Sequence, residues 1–344
     1  MRERRASSAL VVGVALVSVG IVIASLTIGT ETLSFRQAWV EWRQDLPMHQ
    51  APTLSIIVQQ RLPRTLAALI AGAGLALAGC VFQAMLRNPL ATPYTLGIAS
   101  AGALGAWVGT IVLKALNISF SFLSFSPIEA FSFLFAGLDM LLIYLLATRH
   151  TRMAPSVLLL AGVTLGMLAN AGIMLMRYLA HPELLVSMER WLMGGVDVLG
   201  YEPVTTLLVG VTPCALVLLA QAAKFDQLGF GAELAAGRGV NVNRLQLVTF
   251  GIGSLMTAII VSKVGPIGFI GLIVPHAVRG IAGSLHRVVM PLSVIVGGAF
   301  LCCCDIVARK LLPGETPVGI VTSLIGGPFF LYLLMRRKFT DWEV

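Results

Sequence analysis

Long apolar runs separated by short polar segments dominate the pattern of this 344-residue chain. An α-helix needs about 17 to 25 mostly apolar residues to cross the hydrocarbon core of a membrane. The runs meet this requirement, although the eighth is shorter than the others. We therefore predict about ten transmembrane helices, near residues 9–29, 62–82, 93–113, 126–147, 157–178, 203–223, 245–262, 267–283, 288–308 and 318–335.

The composition agrees with a location in the membrane. Hydrophobic residues make up 57% of the chain, charged residues only 12%, and the mean hydropathy is +0.89. A soluble protein of this length cannot bury so much apolar surface. The sequence therefore predicts an all-α polytopic membrane protein, surrounded by membrane lipid, with a single transmembrane domain over residues 1–344.

The distribution of basic residues predicts the orientation. An even number of spans places both termini on one side, and Lys and Arg favour that side, as the positive-inside rule requires of the cytoplasm. We therefore expect a multi-pass protein with cytoplasmic termini and an uncleaved first span. The net charge of +8 is scattered and forms no basic patch, so we expect no nucleic-acid partner.

The common signatures of catalysis and of nucleotide binding are absent from the sequence. No G-x-x-x-x-G-K-[ST], H-E-x-x-H or G-x-S-x-G motif occurs, so we expect no enzyme activity of this chain. Cys302, Cys303 and Cys304 point about 100° apart on a helix and cannot converge on a metal. An ion-coupled secondary transporter is an alternative, but such proteins keep carboxylates near the membrane midplane, and Asp139 is the one candidate here.

The stretch "RLPR" places Arg61 and Arg64 on one face at the start of the second apolar run. Pro63 suits the first turn of a helix, where its missing N–H costs nothing. On the predicted topology this point lies outside. Two interpretations are open: the arginines bind carboxylates of a partner protein, or they reach lipid phosphates.

Several longer motifs, in order, resemble the FecCD-type permeases of ABC importers for ferric siderophores, haem and cobalamin. The similarity extends over nearly the whole chain. Its motifs include "RLPRTLAALIAGAGLALAG", "RNPLATPYTLGI", "GPIGFIGLIVPHAVR" and "ETPVGIVTSLIGGPFFLYLL".

The resemblance implies the architecture of a BtuC-like permease. It implies a homodimer of ten-helix subunits with the path at the dimer interface, served by two ATPase subunits and a periplasmic substrate-binding protein in a bacterial inner membrane. This chain would hold no cofactor, because ATP and Mg would bind to the partner ATPase. An iron–siderophore complex is the expected cargo, and haem and cobalamin are the alternatives.

The resemblance also implies roles for individual residues. The binding-protein docking residues would be Arg61, Arg64 and Arg309, and the cytoplasmic gate would comprise Asn88, Leu90, Pro155 and Ser156. The ATPase would contact a coupling loop near residues 224–244, through Gly231, Glu233, Ala235, Arg238, Gly239 and Val240. Small residues there would allow close approach of the ATPase, although Arg238 stands where the family usually has leucine.

We further expect the translocation path to use the fifth and tenth spans. Gly326, Gly327 and Pro328 lie in mid-span, where they would permit bending beside a cavity. Met167 and Met174 would form a soft lining, or else contact lipid or pack in the core.

Overall fold

The computed structural model describes residues 2–29, 33–45, 47–116, 126–148, 155–198, 200–311 and 316–336. Every regular element in these ranges is a helix, which confirms the predicted all-α class. In chain order the helices are α1 (Arg2–Thr27), α2 (Phe35–Arg43), α3 (Pro52–Ile56), a π-helical turn (Ile57–Arg61), α4 (Leu62–Leu86), α5 (Ile98–Leu116), α6 (Pro127–Thr148), α7 (Pro155–Leu179), α8 (Pro182–Leu192), α9 (Glu202–Leu219), α10 (Ala222–Leu228), α11 (Ala232–Gly237), α12 (Val242–Val264), α13 (Ile270–Ala282), α14 (His286–Leu311) and α15 (Val318–Arg336).

The spans follow the apolar runs closely. Among the described residues, six helical segments are long and apolar enough to cross a membrane, and four shorter apolar helices bring the total to ten. The ten lie in α1, α4 to α7, α9 and α12 to α15. The predicted number is therefore confirmed, and α13 is the short eighth span.

The centre of the bundle is α4, which packs against α9, α12, α13 and α14. Glycines make two of these contacts possible. A side-chain carbon at Gly72 would collide with the Gly297 carbonyl of α14, and one at Gly79 would collide with Gly271 of α13. Close approach of backbones is the usual way in which membrane helices gain packing energy, because lipid competes for apolar surface.

The start of α4 differs from the prediction. Pro63 does not begin a helix, because a single helical segment runs from Pro52 to Leu86. A proline inside a helix loses one hydrogen bond and crowds the carbonyl four residues earlier. The π-helical turn at Ile57–Arg61 lies directly before Pro63 and accommodates this disturbance.

Two helices begin at mid-depth of the bundle instead of at its surface. Gly97, immediately before α5, packs against Gly162 and Gly166 in the middle of α7. Phe269, immediately before α13, has a φ of 68° and packs against Gly326, eight positions into α15. Two non-helical links therefore enter the bundle, from opposite ends.

Candidate functional site

A buried cluster of charged side chains closes one end of the bundle, where α4 begins and α14 ends. Arg64 Nε donates to Asp305 Oδ1 at 2.9 Å, and Arg309 Nη2 lies 3.0 Å from Asp305 Oδ2. Arg309 also donates to Ser25 Oγ on α1 at 2.9 Å, and Arg64 Nη1 lies 3.3 Å from Asp197 Oδ1. One carboxylate thus joins two helices that are distant in sequence.

Burial corrects the predicted geometry of these arginines. Asp305 is fully buried, and Arg61, Arg64 and Arg309 are only 8%, 9% and 3% exposed. Arg61 and Arg64 do not extend from the start of α4 into solvent, and Arg64 turns inward onto Asp305, as Arg309 does. Buried charges at such distances stabilise a fold only when each keeps its partner. The role of the three arginines in docking a binding protein stays a prediction.

Arg61 ends the π-helical turn at the same end of the bundle. Its guanidinium lies against the backbone of Gly29, just beyond α1, where a side-chain carbon would collide with it. Because Arg309 contacts Ser25 on the last turn of α1, the structure brings Arg61 and Arg309 to the end of α1, and Arg64 joins Arg309 through Asp305.

The predicted gate lies at the opposite end of α4. Arg87 ends that helix in the left-handed conformation, with a φ of 48°. Asn88 Oδ1 then accepts the Leu90 N–H at 2.9 Å, an Asx turn that shapes the loop. Leu90 and Ser156 are exposed, whereas the side chain of Pro155 lies outside the described residues. Asn88 is therefore a turn-forming residue, and closure of a gate stays a prediction.

The predicted coupling loop contains two short helices, α10 and α11. Gly231, with a φ of 123°, precedes α11. The helix ends in a Schellman motif, in which the Gly239 N–H binds the Ala236 carbonyl and the Val240 N–H binds the Ala235 carbonyl, at 2.9 and 3.0 Å. Gly239 has a φ of 86°, which glycine adopts without steric cost. Both glycines are thus required by the turns of the loop itself.

The exposed face of this loop differs from the prediction. Ala235 and Val240 are buried in the chain's own core and offer no surface to a partner. Glu233 and Arg238 are exposed. The Arg238 guanidinium lies 5.4 Å from the centroid of the exposed Phe230 ring, a cation–π contact that holds it at the surface.

Two contacts fasten the coupling loop to the membrane helices. Arg87 Nη2 donates to the Leu228 carbonyl at the end of α10, at 2.8 Å. Asp226 accepts the backbone N–H of His286 at the start of α14, and its Oδ1 lies 3.2 Å from the ring Nδ1. Arg87 is the residue before Asn88 of the predicted gate. A displacement of α10 would therefore be passed to the gate through Arg87.

A cavity of about 650 Å³ lies beside the predicted gate. Its walls are the loop before α5, the end of α8, the link between α12 and α13, and the first half of α15, with Leu90, Tyr94, Met193, Phe269 and Ser323 among the lining residues. None of the described residues that line it is charged. The described wall of the cavity is therefore uncharged and mostly apolar.

The residues predicted for the path do not share one surface. Met167 and Met174 are 68% and 67% exposed on α7, and the cavity wall does not include them. Gly326 is buried beneath the Phe269 ring. Gly327 is partly exposed and Pro328 exposed, and α15 continues unbroken through all three positions. Close packing against Phe269 accounts for Gly326, and bending beside a cavity stays a prediction.

Sequence reasoning missed two residues of this arrangement. Asp305 precedes Arg309 by four positions in "DIVAR", a spacing that brings opposite charges together on a helix, so the signal was present. The contact of Arg87 with Leu228 left no signal, because a backbone carbonyl accepts hydrogen bonds whatever its side chain.

Comparisons with known proteins place these features in a family. The sequence model of the FecCD transport family matches residues 4–336. The cobalamin import system permease protein BtuC of Halobacterium salinarum is 36% identical, over 92% of this chain and 85% of that protein. The hemin transport system permease protein HmuU of Yersinia pestis is 34% identical, over 92% of each chain.

A solved structure shows the same fold. It is a metal-chelate type ABC transporter in an inward-facing conformation, with a TM-score of 0.83 and 30% sequence identity. The match covers 96% of this chain and 100% of the other. The substrates named for these three proteins differ, while the architecture is shared.

Proposed function

Because this chain belongs to the FecCD transport family and is the membrane permease of an ABC importer, with ATP hydrolysis on a separate subunit, we propose that it imports an iron–siderophore complex. The complex is received from a periplasmic binding protein and released into the cytoplasm. The alternatives within the same mechanism are haem and cobalamin.

The chemistry of the cavity supports a chelated cargo. The described lining residues are uncharged and mostly apolar. A bare metal ion needs carboxylate, imidazole or thiolate ligands in place of its water, whereas a chelate brings its own ligands. The similar proteins named for cobalamin, hemin and a metal chelate all handle a metal enclosed by an organic molecule. This uncharged wall is the observation that carries the proposal.

The proposed assembly is a homodimer with two ATPase subunits below and one binding protein above, and with both termini of each permease in the cytoplasm. Large apolar side chains on α7 support a further protein or lipid contact, since Leu160, Met167 and Met174 are 71%, 68% and 67% exposed. A path between two copies of the chain would be lined by such a face.

The ends of α4 carry the proposed partner contacts. The binding protein is proposed to dock at the end of the bundle that Arg61, Arg64 and Arg309 mark. There the buried pairs of Arg64 and Arg309 with Asp305 hold the start of α4 and the end of α14 together as a rigid base. Asn88, Leu90 and Ser156 form the proposed gate. The exposed Glu233 and Arg238 of α11 and its cap face the ATPase.

Reconstituted uptake tests the proposed function. The permease, its ATPase and its binding protein are placed in vesicles, and radioactive iron bound to a siderophore is supplied together with ATP. We expect uptake that needs both ATP and the binding protein. Haem or cobalamin uptake in its place would overturn the proposed substrate, and uptake driven by a proton gradient without ATP would overturn the mechanism.

A further inference from the structure

Helix α2 carries an exposed aromatic face. Phe35, Trp39 and Trp42 follow the spacing i, i+4, i+7, which places them on one side of the helix. They are 45%, 59% and 58% exposed, and the two tryptophan rings lie 5.0 Å apart. Three large aromatic side chains on one exposed face need a surrounding that is not bulk water.

The other sides of α2 show how the helix is oriented. Ala38 is buried, and the Glu41 carboxylate accepts the backbone N–H groups of Thr53 and Leu54 at 3.4 and 2.7 Å, at the start of α3. One side of α2 is thus held by the protein. By the helical repeat, Arg36 and Arg43 lie on the flank of the aromatic face opposite to Ala38 and Glu41, and both are exposed.

The connections of α2 keep it near the membrane surface. Phe35 follows Thr27, the last residue of the first span, by eight positions (35 minus 27), and the Leu33 N–H between them donates to the Thr27 carbonyl at 3.0 Å. If the spans alternate, α7 ends and α9 begins on the same side. Exposed tyrosines mark both points, Tyr178 at 86% and Tyr201 at 41%. Such aromatic belts are typical of membrane–water interfaces.

We propose that α2 is an interfacial anchor, which inserts Phe35, Trp39 and Trp42 into the lipid headgroup region while Arg36 and Arg43 bind lipid phosphates. A short amphipathic helix with tryptophans on one face and arginines beside it fits this surface both in polarity and in charge. The proposal rests on the membrane location of the chain and not on its cargo.

The anchor has a structural consequence for the arginine cluster. Glu41 binds α3, and α3 continues through the π-helical turn into α4 without a break. A helix fixed in the lipid surface thus holds the segment that ends at Arg61. The depth of Arg61 and Arg64 in the membrane would then be set both by the α2 anchor and by their contacts inside the bundle.

Fluorescence quenching in vesicles tests the anchor. The full-length permease is placed in phosphatidylcholine–phosphatidylglycerol vesicles, with or without bromine atoms near the headgroup end of the lipid chains. We expect the Trp39→Phe/Trp42→Phe variant to lose most of the bromine-dependent quenching of tryptophan emission. A Trp107→Phe variant is the matched control, since Trp107 is fully buried, and the absolute emission that it loses to bromine should equal that of the wild type.

Two results would overturn the proposal. One is bromine quenching that is the same with and without Trp39 and Trp42. The other is strong quenching of these two residues by aqueous acrylamide in intact vesicles, which would assign the face to water or to a soluble partner. An Arg36→Gln/Arg43→Gln variant should show weaker bromine quenching, and an unchanged value would contradict the phosphate contact.

Discussion

The two ends of α4 are held in opposite ways. At one end Arg64 lies in a closed cluster with Asp305, which also holds Arg309, and the three side chains are nearly inaccessible to solvent. At the other end Arg87 is exposed, and its guanidinium donates one hydrogen bond to the Leu228 carbonyl of α10. Arg64 is thus cross-linked inside the bundle, whereas Arg87 is tied to a small surface helix.

The difference indicates that one end of α4 is fixed and that the other can move. A charge network buried on all sides has a single arrangement, since any displacement exposes an unpaired charge. A single hydrogen bond from an exposed side chain is worth less, and its donor can follow the motion of its partner. Motion that arrives through α10 is therefore expected to move the Arg87 end, while the Arg64 end stays fixed.

The largest effect is expected from Asp305→Asn, which removes the negative charge between Arg64 and Arg309. The buried Arg309 guanidinium then loses the carboxylate beside it, and Arg64 keeps only the half-exposed Asp197, so the cost is about 3–5 kcal/mol. The expected result is a large drop in the thermal unfolding temperature and in the yield of the detergent-solubilised permease. Asp197→Asn is the matched control, because the Asp197 side chain is 42% exposed. Its cost should stay within about 1 kcal/mol. Equal unfolding temperatures for the two variants would refute the claim that the buried Asp305 cluster fixes the Arg64 end of α4.

Arg87→Ala tests the movable end. The lost hydrogen bond involves a charged donor and is worth about 1.5–3 kcal/mol. We expect substrate uptake to fall roughly tenfold, which corresponds to a free-energy change of about 1.4 kcal/mol. ATP hydrolysis by the assembled transporter should continue. The measurement is the number of ATP molecules hydrolysed per substrate molecule imported. Arg177→Ala, at an exposed arginine in the last turn of α7 and outside the predicted coupling loop, should leave this ratio unchanged. A similar loss in both variants would mean that general surface charge, not the contact with Leu228, is responsible.

Substitutions at two glycines of the coupling loop distinguish an effect on the turn from an effect on the contact with the ATPase. Gly239→Leu places a side chain in the left-handed conformation, at a cost of about 1–2 kcal/mol. Gly237→Leu adds the same bulk on a helix where no neighbouring atom lies within 4 Å. If this surface contacts the ATPase, both variants should co-purify with less ATPase, and Gly239→Leu should lose more. Loss in Gly239→Leu alone would assign the effect to the turn, and full co-purification of both would remove the surface from the interface.

The smallest effect is expected from Arg238→Leu, which restores the residue usual in the family. The change removes a cation–π contact with Phe230 that is worth about 0.5–1 kcal/mol at an exposed site. Co-purification with the ATPase should therefore fall by less than about fivefold. Complete loss of the complex would show that Arg238 itself binds the ATPase.

The sequence predicted the elements that depend on local pattern. The apolar runs are long enough to stand out, and their positions agree with the spans of the structure within a few residues, including the short α13. The periodicity of "FRQAWVEWR" is equally local, and α2 was nonetheless passed over because it lies between two spans in a segment interpreted only as polar.

The parts that could not be predicted depend on tertiary contacts. The convergence of Arg64 and Arg309 was expected from the family, but their inward direction was not, because it depends on the burial of Asp305 between α4 and α14. Likewise nothing local distinguishes a glycine that permits bending from Gly326, which makes room for Phe269.

The short length of α13 has a consequence for the biogenesis of the protein. Its 13 residues extend about 20 Å, too little for a bilayer core of about 30 Å. The insertion machinery recognises segments of spanning length. We therefore expect that α13 alone would not be inserted. Its neighbours α12 and α14 both have the length of a span. We expect α12, α13 and α14 to enter the lipid together, with α13 held between its two longer neighbours. The final topology would then be fixed only after α14 has been synthesised.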